Sequence, residues 1–479
     1  MKRTTAFALV LGLAVSSGCT ADAEVLAIRN VTVIDGTGAG PQTGMTVVIA
    51  QSQISAIGTD GSVDYPSSAR VIDGAGKYLI PGLWDMHVHL RDLGGTLPLF
   101  IINGVTTVRD MGSEIHETVA LREQIEAGVL VGPRIKTPGM MVESSSWVAQ
   151  YVELMRDQGA DEEGVEEFLS TRILVGDSRE ARVIVDSLTG LGADFIKIRH
   201  AESPEVFAAI AEAATDAGTH LVGHYVWILS LEESADGGQR SIEHNILPGF
   251  NERSPEQKRE IFDALLRNDT HLVPTLVTNE AETQSFQTVS AIVEDADGSI
   301  DARNKYVSAK IRQGWIETIA MNAADEERPP PEVIQQMMAS SNQFLDEARL
   351  AGVKMMAGTD VPTTGTFFGF SLHDELALLV ETFGMTPVEA LLSATAVPAT
   401  FMGMDAEVGT IVVGRRADLV LLDADPLADI RNSRRIDTVI ADGRVYDRET
   451  RERMLDEIEA SISSEASPSL PAPTTGSRE

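Results

Sequence analysis

Trp84-Asp85-Met86-His87-Val88-His89 closes an apolar run that opens at Leu79-Ile80-Pro81-Gly82-Leu83. On a strand, side chains alternate with a period of two, so His87 and His89 point to the same side. Two imidazoles on one side can reach one ion, and Zn²⁺ takes imidazole nitrogen and carboxylate oxygen readily. A His-X-His pair alone is a weak signal, because core histidines fall into the same spacing. Its weight comes from what ends the strands that follow.

From this point the chain alternates short apolar runs with amphipathic helical stretches, the pattern of parallel βαβ units. Candidate strands are Gly82–His89, Val105–Arg109, Arg134–Thr137, Phe195–Ile198, His220–His224, Ser241–His244, His271–Leu276 and Lys354–Asp360. Eight such units close a (β/α)8 TIM barrel, and the span 81–404 is read as one. Lys197 sits inside an apolar run, where a charged amine is costly to bury unless it is paired or modified. His224, His244 and Asp360 each end a later strand. In a barrel those ends converge on one mouth, where active sites are built. The interval between Leu276 and Lys354 exceeds one helix, which predicts a helical insertion at about 280–350, with helices over Asn304–Asn322 and Pro331–Leu350. It is placed where a lid over the mouth would be.

Residues 25–80 and 405–450 instead show period-2 runs bounded by Gly and Asp, which read as antiparallel strands. Strand-only segments at both ends of an α/β middle predict one small β-sandwich domain made from two distant pieces. Residues 461–479 turn to Ser, Pro, Thr and Gly and read as a disordered tail. A formal charge of −34 repels phosphate backbones and excludes nucleic acid as a partner. Lys2 and Arg3, the apolar run Ala6–Val15 and Ser16-Ser17-Gly18 read as a signal peptide over 1–18. The following Cys19 resembles the lipidated cysteine of a bacterial lipobox, although Ser16 stands where that box has Leu. The expectation is an exported periplasmic or cell-envelope lipoprotein, touching membrane only through a lipid anchor. With one cysteine in the chain, neither an internal disulfide nor a cysteine-rich zinc site can form.

Taken together, Leu79–His89, Asn103-Gly104-Val105-Thr106-Thr107-Val108-Arg109-Asp110, Ser241-Ile242-Glu243-His244, Ala357-Gly358-Thr359-Asp360 and Gly414-Arg415-Arg416-Ala417-Asp418-Leu419-Val420 resemble the amidohydrolase superfamily. The resemblance is to its imidazolonepropionase-like and prolidase-like (Xaa-Pro dipeptidase-like) branch, and it covers residues 25–450. It implies a binuclear metal site. His87, His89 and Asp360 would hold the more buried ion, and His224 and His244 the second. Lys197, carboxylated by CO₂, would bridge them; the carbamate turns a costly buried cation into an anionic ligand. The ions would be divalent, Zn²⁺ before Mn, Co or Fe. A bridging hydroxide would attack an amide or peptide bond, Asp360 would move the proton, and Tyr225 would hydrogen-bond the developing oxyanion.

For the substrate, a dipeptide, Xaa-Pro-like peptide or N-acyl amino acid, Arg199 offers a planar fork to a carboxylate. His200, Glu143 and Trp147 are candidates to line the pocket. Arg199 and His200 stand where prolidase-like relatives have a small, Gly-rich stretch, which leaves the substrate class open. His116 and His373 are expected on solvated helix faces, and His220 and His271 at the far end of the barrel. A mononuclear cyclic-amide hydrolase or deaminase is the first alternative. Trp227 opposes a deaminase, which carries Glu at that position, and Lys197 argues for two metals. A non-catalytic binding protein is the second, opposed by the complete ligand set. A homo-oligomer is left open.

Overall fold

Pro138 and Gly139 split what begins as one strand. The computed structural model describes residues 25–91, 93, 95–244, 252–325 and 328–464. In it, Arg134–Lys136 stays in a three-stranded parallel sheet with Leu83–Val88 and Val105–Asp110. Met141–Ser144, a strand the sequence reading lacks, joins a second sheet. There it leads through Ile196–Ile198, Leu221–His224 and Gln239–Glu243 to His271–Val273, all parallel. Proline has no N–H to give a ladder, and the glycine at φ +64° turns the chain, so the break is local chemistry.

The expected eighth strand, 354–360, is not a ladder strand. It is stitched between the two sheets by single parallel bridges, Leu272 to Met355 and Val88 to Val361. Backbone bonds Met356 N to Leu272 O (2.9 Å) and Met86 N to Ala357 O (2.9 Å) hold its two sides. Gly358 permits this approach: a Cβ there would stand 2.9 Å from the Cβ and backbone N of His87. Gly223 has φ +146°, and a Cβ on it would fall 1.8 Å from Ile198 O, so the strand ending in His224 can lie against the strand of Lys197 only with glycine.

The terminal pieces form one eight-stranded sheet, where a sandwich of two was expected. Leu26–Val33 is the reason. It pairs antiparallel with Gln42–Ala50 on one edge and parallel with Arg70–Asp73 and then Tyr78–Pro81 on the other, which welds both halves together. Tyr78–Pro81 in turn pairs with Leu419–Leu422, bringing the far end of the chain into the same sheet. Alternation then divides the strand: Leu419 and Leu421 enter the sheet's own core, Val420 and Leu422 the large core shared with the α/β middle.

The insertion supplies helices Phe286–Glu294, Ala309–Ala324 and Pro331–Leu350. Near the C-terminus, Arg448–Ser463 is an amphipathic helix capped by Asp447, reaching into the stretch expected to be disordered. Its Arg451 donates to Ile102 O and Ile436 O, both at 2.8 Å, which ties it to the body. The leader 1–18, Cys19 and residues 465–479 lie outside the described residues.

Helix Phe370–Phe383 corrects the reading of His373. The helix buries Leu372, Leu376 and Leu379, and its histidine is buried too, between Ser433 Oγ (2.9 Å) and Asn103 O (3.0 Å). Burial pushes it down to about 4. His116 is exposed as expected. Glu375, on the same helix, accepts from Val277 N at 2.9 Å, and burial pushes its carboxyl up to about 8.

The folded chain therefore keeps a proton on Glu375 that the unfolded chain releases near pH 4.5. Its contribution is complete at lower pH and is lost as pH rises through about 8. Glu375→Gln keeps the acceptor and removes that loss. Thermal melts are expected to show Tm raised by several degrees above pH 8 and little changed at about pH 4.

Candidate metal centre and its surroundings

His87, His89 and Asp360 converge. Asp360 Oδ1 lies 3.4 Å from His87 Nε2 and 3.3 Å from His89 Nε2. These are the residues that form a potential metal-ligand group among the described residues. His87 O accepts from Asp360 N at 2.7 Å, which locks the backbone of one ligand to the other. The His244 ring stands 4.4 Å from that of His87 and 4.8 Å from that of His224, centroid to centroid. The Lys197 side chain is wholly buried beside them, within reach of the Asp360 charge. His244 and Asp360 have φ of +65° and +53°, a backbone region that costs non-glycine residues energy and is met at functional sites.

The protonation states suit ligands. Burial, then the charges of His244 and Lys197, holds His87 well below the usual imidazole range. Burial and Lys197 do the same to His224, and burial lowers His244. Burial brings Lys197 down to about 8. Burial pushes Asp360 up, but the facing His244 and His89 outweigh it and leave an ionised carboxylate.

Partners on the other ring nitrogen set the tautomers. His89 Nδ1 lies 3.1 Å from Gly112 O, and a carbonyl can only accept, so Nδ1 carries the proton and Nε2 the lone pair. His244 Nδ1 is 2.9 Å from Thr275 Oγ1. His87 Nδ1 is 2.9 Å from Glu243 Oε2. Glu243 also accepts from Arg109 Nη2 at 2.8 and 2.9 Å and from Ser241 Oγ at 2.5 Å. Asp85 accepts from Thr359 Oγ1 at 2.6 Å and Thr359 N at 3.0 Å, tying the His87 strand to the residue before Asp360. Burial pushes Asp85 up to about 7. The sequence reading missed Glu243, Arg109, Ser241, Asp85 and Thr359 in these roles. The signal was present: a carboxylate beside a ligand, and an arginine inside the apolar strand Val105–Asp110.

Two atoms test whether a cation fits. His87 Nε2 and Lys197 Nζ are buried without a hydrogen-bond partner among the described residues. Such orphans are costly. Neutral imidazoles around an ionised carboxylate are the donor set a divalent cation takes, and the residues fit the group.

Other candidates sit further out. Trp147 stacks on His200, centroids 4.1 Å apart, and Arg199 lies 5.3 Å over the Trp147 ring. His200 Nδ1 is 2.8 Å from Glu143 Oε2. Tyr225 follows His224, but its hydroxyl donates to Leu229 O at 2.6 Å within its own loop. His220 and His271 bond to Phe401 O and Asp269 O, away from the cluster. A cavity of about 580 Å³ reaches Asp360 and is lined by Arg91, Phe168 and Arg172 together with Trp315 and its helical neighbours in the insertion.

The amidohydrolase family profile matches residues 78–446, a span that carries every one of these candidate ligands. The chain belongs to the amidohydrolase family. It is 24% identical over 408 residues to the imidazolonepropionase of Brevibacillus brevis, covering 82% of this chain and 87% of the relative. To the imidazolonepropionase of Ralstonia nicotianae it is 28% identical over 384 residues, 77% and 84% of the two chains. Among solved structures, a prolidase complexed with N-methylphosphonate-L-proline superposes with TM-score 0.65 at 25% identity, covering 88% of this chain and all of the other. A Xaa-Pro dipeptidase with bound methionine gives TM-score 0.65 at 23% identity, over 88% and 100% of the chains. These neighbours imply a TIM barrel with an extra domain. This amidohydrolase is therefore a hydrolase of carbon–nitrogen bonds, from a metal-dependent family that acts on small molecules.

The same relatives correct the expected location. An exported lipoprotein of the cell envelope is not what the matched imidazolonepropionases are, and that expectation is overturned. Among the described residues no helix is long and apolar enough to cross a membrane.

Glu243→Gln keeps the shape of the buried network but removes the charge that orients His87. Affinity for divalent metal, measured by competition with a chelator, is expected to fall about 10–100-fold. Unchanged affinity would show that packing alone holds the ring.

Proposed function

We propose that this amidohydrolase cleaves the amide or peptide bond of a dipeptide, Xaa-Pro-like peptide or N-acyl amino acid at a binuclear centre. The observation that carries the reading is the buried amine of Lys197, without a hydrogen-bond partner, beside the His87–His89–Asp360 group. His87, His89 and Asp360 would hold one cation, His224 and His244 the other, and Lys197 as its carbamate would bridge. An amine brought down to about 8 is partly unprotonated near neutrality, the form that adds CO₂. Divalent cations, Zn²⁺ first, supply Lewis acidity toward the carbonyl and acidify a water.

The remaining work belongs to the chain. Asp360, ionised and on the cavity wall, takes the proton of the attacking water and returns it to the leaving amine. Tyr225 is the proposed oxyanion donor, exchanging its bond to Leu229 O for the substrate. Arg199, His200 and Trp147, stacked together, form the proposed outer wall. The helices of the insertion roof the cavity and exclude water. The fold underlying this is proposed as a closed (β/α)8 barrel over 81–404, with 25–80 and 405–450 as the composite β domain.

A second reading, a mononuclear cyclic-amide hydrolase, is favoured by the imidazolonepropionase relatives and by a potential ligand group that, among the described residues, comprises His87, His89 and Asp360. Elemental analysis separates the two. The binuclear reading expects about two ions per chain, falling in Lys197→Ala together with activity. A screen of zinc-loaded protein against dipeptides, N-acyl amino acids and lactams is expected to find turnover in the first two classes. That turnover should drop at least about 1,000-fold in His87→Ala and Asp360→Asn. About one ion per chain, with Lys197→Ala fully active on a lactam, would establish the second reading instead.

A further inference from the structure

Glu143 ends the strand Met141–Ser144 and is fully buried. Besides His200, two arginines face its carboxylate: Arg172 Nε at 3.7 Å and Arg199 Nη1 at 3.8 Å from Oε1. Neither distance is a hydrogen bond. Glu143 Oε1, Arg172 Nε and Arg199 Nε are all buried without a hydrogen-bond partner among the described residues. One carboxylate thus gathers two permanent cations and neutralises at most one.

Arg172 is held firmly. It sits on Arg172–Val175, an edge strand added beside Glu143, with only 10% of its side chain exposed. Its Nη1 donates to Phe168 O at 2.5 Å and Thr171 Oγ1 at 2.9 Å, and the Phe168 ring lies 3.7 Å from its guanidinium carbon. Burial, then the charge of Arg199 and more weakly that of Arg91, brings it down to about 10, and the opposing charge of Glu143 offsets this only in part. Arg91, two residues past His89, is exposed and makes no side-chain hydrogen bond or ion pair among the described residues. Both Arg91 and Arg172 line the cavity that reaches Asp360. The other cations of that wall are engaged, Lys310 with Glu167 at 2.9 Å and Arg328 over the Phe286 ring.

In a chain of net charge −34, an arginine that shares its carboxylate with a second cation, beside another arginine with no ion partner among the described residues, marks a place for an anion in the cavity. We propose that Arg172 and Arg91 form the subsite for a carboxylate on the substrate, so that the enzyme takes amides bearing a free carboxylate. The planar guanidinium of Arg91 can meet a carboxylate through parallel N–H donors, and Arg172 adds Nη2, since its Nη1 is engaged and its Nε faces Glu143. Arg199, which the sequence offers for this task, packs against Trp147 and Glu143 and serves to hold the corner. The assignment rests on the amide-hydrolase reading, and the two can fail separately.

Calorimetric titration of the full chain with N-acetyl-L-proline, N-acetyl-L-leucine and N-acetyl-L-methionine, each beside its C-terminal carboxamide, tests it. At least one acid is expected to bind about tenfold tighter than its carboxamide. Arg91→Gln, an exposed change that leaves the fold alone, and Arg172→Gln should each remove that preference and spare carboxamide binding. Arg172→Lys should keep part of it. Equal binding within every pair, no binding at all, or a preference that survives both glutamine variants would overturn the subsite. Hydrolysis of the same compounds is followed separately. Discrimination in binding without turnover of any pair faults the hydrolase reading and leaves the subsite standing; equal turnover of acids and carboxamides faults the subsite alone.

Discussion

The carboxylate of Glu243 stands between the Arg109 guanidinium and the His87 imidazole, and none of the three side chains is exposed to solvent. In that low-dielectric setting a charge is tolerated only with its partner in place. Arg109 Nε reaches back to Met86 O at 2.7 Å, and Phe195 and Phe401 flank its guanidinium carbon at 5.8 and 5.5 Å. The group therefore joins three strands: Leu83–Val88, Val105–Asp110 and Gln239–Glu243. His244 directly follows Glu243, so the same anchor sets where the chain bends into its left-handed conformation. Removing one member of such a buried pair leaves the other uncompensated, at about 3–5 kcal/mol.

How much of this was legible follows from what each feature depends on. That His87, His89, His224, His244 and Asp360 come near one another could be expected because strand periodicity and βα order are one-dimensional signals, and parallel strands carry their C-terminal ends to one place. Lys197 was conspicuous as a charge in an apolar run. The break at Pro138–Gly139 was written in the sequence too, but the strand beyond it carries Glu143 and Ser144 and does not read as apolar. Arg172–Val175 was hidden for another reason. It is an edge strand paired only with Met141–Ser144, and four residues give no period to detect. His373 was misplaced because a helix buried on most sides loses the polar face from which exposure is inferred. The single end sheet could not be told from a sandwich, since alternation identifies strands and not their partners.

The insertion shows how loop and site are joined. Trp315 Nε1 donates to Pro362 O at 2.8 Å, which bolts the helix Ala309–Ala324 to the segment just past Asp360. Two parts of the cavity lining, Trp315 and Asp360, are thereby held by a common stretch of backbone. A shift of the helix Ala309–Ala324 is transmitted to Asp360 through two residues of chain.

The strand Leu419–Leu422 has both faces buried in different hydrophobic clusters. It is a party wall. Neither of the spaces it separates is sealed without it, and it reaches its position only after almost the whole chain has been made. During synthesis the α/β middle therefore emerges with one side of its interior open to water, and closure waits for the C-terminal strands. Cooperativity is built in by this geometry: loss of the end sheet and loss of the middle become one event.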